Sequence, residues 1–308
     1  MEQNLGIHHI TAIASSPANN YDFYARFLGL RLVKKTVNFD DPTTYHLYYG
    51  DATGRPGTIM TFFPWPNARR GKLGAGQSTA VAFAVPRGSL PFWRARAEAE
   101  EQCTEPIEAR LGDSGLSLRD PDGLPVELIE TDEMGSGWVG IPAEFAITGF
   151  FGTTLEVTEL LPTTRLLTGV FGFESIADDG RRFRFRAAST PGRYVDVVHI
   201  PSGPWGQMGA GTIHHVAFRS SDDHNQLDWR KAIGDAGFDV TEVRDRNYFH
   251  SIYFRERGGV LFEIATDPPG FSVDEAVEDL GEKLMLPEWL EESRERIEAT
   301  LPSLEANP

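Results

Sequence analysis

The 308-residue chain contains a single cysteine, Cys103, so no internal disulfide can hold it together. Cys103 sits in a polar stretch with no motif around it and reads as an incidental thiol. No run approaches the roughly 20 apolar residues that a bilayer-spanning helix needs. The opening residues, Met1-Glu2-Gln3-Asn4, lack the basic-then-apolar pattern of a secretory signal. These absences lead to the expectation of a cytoplasmic protein with no membrane partner. Basic charge is scarce: 29 Lys and Arg against 45 Asp and Glu give a net charge of −16. Phosphate binding needs a basic surface, so nucleic acid is not an expected partner. Much of the acid lies in residues 272–298 (Asp274, Glu275 and Glu278 through Glu298), most of which reads as solvated helix faces. No Gly/Ser linker or low-complexity tract is present. What remains, 40% hydrophobic and 24% charged, is the composition of a globular protein long enough for two domains.

Within it runs a weak internal repeat of roughly 60–75 residues. Each copy reads as strand, helix, then further strands. The first opens at Gly6–Ala14, with a helix at Asn19–Leu28 and strands at Arg31–Phe39, Thr44–Gly50 and Thr58–Phe63. The second opens at Ser78–Val85, the third at Gly149–Val157 and the fourth at Gly211–Arg219. In the fourth, a helix at His224–Ala236 precedes strands at Val240–Asp245, Ser251–Arg255 and Val260–Ala265. The expected fold is α+β: four βαβββ units forming two curved, barrel-like mixed sheets, with a C-terminal helical tail. By sequence order, residues 1–140 hold two units, 141–267 hold two more, and 268–308 form an acidic tail of two helices broken at Pro287.

Two nearly identical strings stand at opposite ends of this repeat: Gly6-Ile7-His8-His9-Ile10 and Thr212-Ile213-His214-His215-Val216. A further strand, Val260-Leu261-Phe262-Glu263-Ile264, carries one carboxylate among apolar neighbours. Two imidazoles and a carboxylate form a donor set for a divalent metal with open positions. Strand alternation places the two histidines of each doublet on opposite faces. His9 then shares a face with Ile7 and Thr11, and His215 with Ile213 and Ala217. We select the second of each pair, His9 and His215, with Glu263, as metal ligands. His8 and His214 are left to orient them by hydrogen bonding. The second and third units open without histidine and offer only Glu127 and Asp196. The competent cup therefore pairs the first unit with the last, and the other is structural. His46, His199 and His224 read as structural, pocket-lining or surface residues.

These segments, with Arg31–Tyr49, Gly57–Pro66 and Tyr253–Asp267, resemble the vicinal oxygen chelate superfamily, and within it the ring-cleaving dioxygenases that act on para-hydroquinones. The resemblance implies Fe(II) held by His9, His215 and Glu263, though manganese, zinc or nickel could occupy the same donors in a purified sample. It implies a small aromatic substrate and O₂ as reactants, and a homo-oligomeric assembly is expected. Tyr253, ten residues before Glu263, stands where extradiol enzymes carry a tyrosine that hydrogen-bonds the substrate oxygen. Their acid–base histidine is missing; Arg244-Asp245-Arg246 stands there instead, and Arg246 is assigned to a phenolate. Thr11, His8 and His214 complete the implied catalytic set. His250, opposite Tyr253 by alternation, ranks lower. Tyr48, Phe62 and Phe254 are expected walls.

Two other readings use the same scaffold. One is a glyoxalase-type metal-dependent isomerase or lyase, which commonly uses four protein ligands. Against it, Thr58-Ile59-Met60-Thr61-Phe62-Phe63 offers no carboxylate. The other is a non-enzymatic binder of aromatic compounds, which has no need of metal ligands.

Overall fold

The computed structural model describes residues 4–132, 141–189 and 191–304. Among the described residues, sixteen strands fall into four sets of four. The first holds β1 (Ile7–Ala14), β2 (Arg31–Asn38), β3 (Asp41–Gly50) and β4 (Ile59–Pro64). The second holds β5 (Gln77–Pro86), β6 (Glu105–Arg110), β7 (Asp113–Arg119) and β8 (Pro125–Thr131). The third holds β9 (Gly149–Val157), β10 (Glu174–Asp178), β11 (Arg182–Arg186) and β12 (Tyr194–His199). The fourth holds β13 (Thr212–Ser220), β14 (Arg244–Asp245), β15 (Phe249–Arg255) and β16 (Leu261–Pro269). A helix follows each opening strand: α1 (Pro17–Tyr21), α2 (Leu90–Ala99), α3 (Leu160–Arg165) and α4 (Asp223–Asp235). α1 and α3 each widen into a π turn, at Asp22–Phe27 and Leu166–Val170, in keeping with their repeat relation. Gly29 ends the first helix at φ 73°, where a Cβ would also lie 2.4 Å from Ile141 Cγ1.

The sixteen strands make two eight-stranded sheets, ordered β14-β15-β16-β13-β1-β4-β3-β2 and β10-β11-β12-β9-β5-β8-β7-β6. The first unit thus pairs with the fourth, and the second with the third. Each sheet draws one unit from residues 1–140 and one from 141–267. The proposed division between these stretches abuts residues 133–140, which lie outside the described residues. A continuous apolar core joins all four units through Ile10 and Phe62, Phe83 and Trp93, Phe150 and Phe171, Phe218 and Trp229. No helix among the described residues is long and apolar enough to cross a membrane.

Two elements differ from expectation. The strand expected at Val240–Asp245 shrinks to Arg244–Asp245. Thr241 explains this: its N–H donates to the Tyr253 carbonyl, and its hydroxyl, in place of a backbone carbonyl, accepts from the Tyr253 N–H. The tail is not two helices broken at Pro287. Residues Phe271–Val273 and Val277–Asp279 are single 3₁₀ turns, Pro287 caps α5 (Glu288–Glu291), and α6 (Arg294–Thr300) follows. Asp274 and Glu275 are half-buried exceptions among these acidic residues. Both pair at 2.5 Å with the Nζ of Lys34, a fully buried lysine on β2, which pins this stretch to the sheet. Leu286 and Ile297 pack on Val37, and Trp289 sets its ring edge-on to Phe39.

Candidate metal centre

The four central strands of the first sheet, β16-β13-β1-β4, carry the site. His9 on β1, His215 on β13 and Glu263 on β16 are all buried, and one donor atom of each lies within 4.8 Å of the others. His9 Nε2 is 3.3 Å from His215 Nε2 and 3.5 Å from Glu263 Oε2, while His215 Nε2 is 2.9 Å from that same oxygen.

How the strands aim these rings corrects the alternation argument. β1 and β13 pair with a register shift at each histidine doublet: Ile7 faces Phe218 but His9 faces Ala217, and Thr11 faces His215 but Ala12 faces Ile213. His8 and His214 are thus the extra residues of two β-bulges. A bulge resets the phase of a strand. Ile7 and Ile213 therefore join the core, whereas the sequence placed them on the ligand face. The two imidazoles of each doublet do not point apart but meet edge to face. His8 Nδ1 lies 2.9 Å from His9 Nδ1, and His214 Nδ1 lies 2.8 Å from His215 Nδ1. If His9 and His215 donate these Nδ1 protons, their Nε2 lone pairs are fixed toward Glu263.

Burial shifts the titration of the groups around this cluster. Burial holds the pKa of His215 below its ordinary value and, with the adjacent His215, brings His214 down to about 3. Burial and His9 do the same to His8. Burial works against ionisation of Glu263, but His9 and His215 outweigh it and keep the carboxyl well below its usual range. The Nε2 atoms of His9 and His215 and one carboxylate thus converge in a dry place, with Glu263 Oε2 lacking a well-formed hydrogen bond. That is a donor set for a cation. One hydroxyl, absent from the sequence-derived set, steadies it: Ser251 Oγ donates to Glu263 Oε1. Ser251 precedes Tyr253 by two on β15 and so shares its face.

The donors open onto a cavity of about 240 Å³. Tyr253 and Arg246 line it, Arg246 Nε donating to Tyr253 Oη over 3.3 Å. Burial and Glu263 raise the Tyr253 pKa, keeping the phenol protonated. Arg246 also pairs with Asp40 at the rim, 3.1 Å away. His214 lines the cavity, but His8 lies behind His9 and borders a separate cavity. Thr11 is reached only through a chain, its Oγ1 2.9 Å from Thr61 Oγ1, which is 2.8 Å from His46 Nε2. Of the expected walls, Tyr48 holds its place. Phe62 and Phe254 turn into the core; alternation gives the cavity Phe63 and Tyr253 instead, with Phe39, Trp65 and Phe249. His250 pairs with Asp223 away from the site, His199 contacts the Thr158 carbonyl, and His224 is exposed.

In the second sheet, bulges at Thr79 and Phe151 put Ala80 and Gly152 where His215 and His9 stand. The carboxylates Glu127 and Asp196 occupy the matching last strands, each held by a two-pronged arginine, Arg110 and Arg184 respectively.

Comparisons with known proteins agree with this architecture. The family model of the glyoxalase/bleomycin resistance protein/dioxygenase superfamily matches residues 6–128. The chain is 49% identical over 303 residues to MhqO of Bacillus subtilis (strain 168), a protein provisionally named a ring-cleaving dioxygenase; the match covers 97% of this chain and 96% of that one. It is 34% identical over 309 residues, 96% of this chain and 95% of the other, to the chlorohydroquinone/hydroquinone 1,2-dioxygenase of Sphingobium indicum. A solved B. subtilis structure, also provisionally named a dioxygenase, superposes with a TM-score of 0.96 at 48% identity, covering 100% of this chain and 99% of that chain. Glyoxalase I of Zea mays shares the fold, with a TM-score of 0.66 at 12% identity over 85% of this chain and 92% of that chain. With relatives this similar along nearly its whole length, and with paired βαβββ units, the chain belongs to the glyoxalase/bleomycin resistance protein/dioxygenase superfamily.

Proposed function

We propose that this chain is an Fe(II)-dependent ring-cleaving dioxygenase that opens a hydroquinone-type aromatic with O₂. One observation carries the reading. His9, His215 and Glu263 converge on one side of a ring-sized cavity, and the position that would bring a second carboxylate holds Thr61 instead. A set of two histidines and one carboxylate leaves room beside the ion for both reactants. Bound iron would supply the electron exchange between ring and O₂ that the closed-shell side chains cannot. The names of the relatives support this class of reaction.

The chain's own residues take the remaining roles. Arg246 and the protonated Tyr253 face the cavity together and suit a substrate oxygen that is losing its proton. His8 and His214 hold the Nδ1 sides of the ligands, and Thr11 reaches the site through Thr61. Phe39, Phe63, Trp65 and Phe249 give the ring an apolar bed and keep water out. A glyoxalase-type isomerase is disfavoured by Thr61, and a simple binder by three buried donors that an aromatic ligand does not use.

The test is anaerobic loading with Fe(II), followed by oxygen uptake with methylhydroquinone or chlorohydroquinone. Uptake with loss of ring absorbance is expected, and His215→Ala should abolish both uptake and iron retention. Uptake that survives His215→Ala overturns the assignment.

A further inference from the structure

The metal cup has an internal two-fold relation, because β1, β3 and β4 hold the places in the first unit that β13, β15 and β16 hold in the fourth. Register extends the relation to single residues. Thr61 pairs with Thr11 as Glu263 pairs with Ala217, two residues beyond His9 and His215 respectively. Tyr48 stands across from Thr61 as Tyr253 stands across from Glu263. Two residues earlier on each strand, His46 reaches Thr61 and Ser251 reaches Glu263. Tyr48 is therefore the counterpart of Tyr253. Where the fourth unit presents an anion, the first presents a neutral chain: Tyr48 Oη lies 2.8 Å from His46 Nδ1, and His46 Nε2 lies 2.8 Å from Thr61 Oγ1.

Both phenols line the same cavity of about 240 Å³. An apolar cavity of roughly 150 Å³ takes up benzene, so this one suits a single substituted ring. A 1,4-dihydroxybenzene with one hydroxyl at the metal ligands beside Tyr253 carries a second hydroxyl for Tyr48 to bind; a monophenol carries none. We propose that Tyr48, held by His46, binds the substrate hydroxyl remote from the metal ligands, and that this contact makes the site select para-dihydroxybenzenes over phenols. The inference rests on the ring-cleavage reading above.

The chain suits this task because it can run in two directions. Burial keeps His46 neutral, so its ring carries one N–H. With that proton on Nε2, His46 donates to Thr61 and accepts from Tyr48, whose oxygen is then free to accept from a ligand hydroxyl. With the proton on Nδ1, His46 donates to Tyr48, whose O–H turns toward a ligand oxygen. The remote oxygen gains carbonyl character as electrons leave the ring, and the chain can meet either form. Tyr48 is itself fixed, packed among Tyr248, Phe249 and Phe271.

The experiment is calorimetric binding of hydroquinone and of phenol to iron-loaded protein without air, using wild type, Tyr48→Phe and Tyr253→Phe. A ligand hydrogen bond of ordinary strength corresponds to roughly a tenfold preference for hydroquinone in wild type. Tyr48→Phe should bring that ratio close to one, whereas Tyr253→Phe should weaken both ligands alike. If Tyr48→Phe does not fold, as judged by circular dichroism, His46→Leu removes the support of Tyr48 and should lower the same ratio. A ratio unchanged in the folded variant, or absent from wild type, overturns the inference; oxygen uptake with hydroquinone would show that ring cleavage still stands. A wild-type protein that takes up no oxygen with any hydroquinone overturns the ring-cleavage reading, and this inference with it.

Discussion

Glu263 has one oxygen engaged and one left facing the imidazoles. Ser251 donates to Oε1, so the carboxylate cannot rotate away from His9 and His215 without losing a buried hydrogen bond. Residues that orient a ligand in this way typically contribute 10- to 100-fold to metal affinity. Ser251→Ala should therefore weaken Fe(II) binding by roughly that factor, measured by chelator competition, with little change in the melting temperature of the metal-free protein. His46 is held neutral by burial and by nearby His9, His215 and Arg246, so its folded pKa lies well below the unfolded value. The sign follows: its contribution to stability is full above about pH 6.5 and declines as pH falls toward the folded pKa, by about 1.4 kcal/mol per pH unit. Denaturant titrations of metal-free protein at pH 7, 6 and 5 should show a shallower acid slope for His46→Gln than for wild type. An equal slope would mean that His46 does not titrate this way. The grouping of His9, His215 and Glu263 could be read from the sequence because two histidine doublets and one carboxylate stand at matching repeat positions. Ser251 could not, since a lone serine on a strand carries no signal until its neighbour is known.

The strands were legible for the same reason the bulges were not. Period-two apolar runs mark a strand, but an inserted residue leaves the composition of the run unchanged and alters only its phase. The structure thus brings His9 and His215 together with Glu263, while Ile7 and Ile213 leave the faces that alternation gave them. The tail failed for a different reason. Its acidic periodicity suggested solvated helix, but Lys34 on β2 captures Asp274 and Glu275 and lies under the Tyr248 ring. Asp274 also accepts from Tyr248 Oη at 2.9 Å, so the same carboxylate ties the tail to the loop that presents Arg246. Removing one member of a buried ion cluster leaves its partners stranded, at a cost of about 3–5 kcal/mol. Lys34→Met should destabilise the protein by that order in urea titrations and expose the tail to proteolysis. Restoring neutrality with Asp274→Asn and Glu275→Gln should recover part of the loss.

At the scale of the whole molecule, one chain contains two cups of the same architecture but opposite content. Both keep paired bulges in their central strands; the first cup has a carboxylate, Glu263, on one last strand, and the second has one on each, Glu127 and Asp196. In the second cup, however, the ligand position on β9 is Gly152, where a Cβ would lie 2.2 Å from the Tyr194 carbonyl oxygen. An imidazole cannot be placed there without moving the backbone. The two carboxylates are neutralised by guanidinium groups: Arg110 on Glu127, and Arg184 bridging Asp196 and Asp113, with Arg182 adding a bond to Asp196. These arginines fill the space that an ion and its substrate would need. The second cup therefore contributes stability rather than chemistry, and the protein should hold one iron per chain, not two. Arg184→Leu should cost about 3 kcal/mol, because it removes the two-pronged partner of buried Asp196 and the partner of half-buried Asp113, leaving Asp196 with Arg182 alone. Iron content by elemental analysis should stay at one per chain in the folded fraction, since Gly152 still denies the second cup a nitrogen ligand. A second equivalent of iron in Arg184→Leu would show that the guanidinium alone had kept metal out.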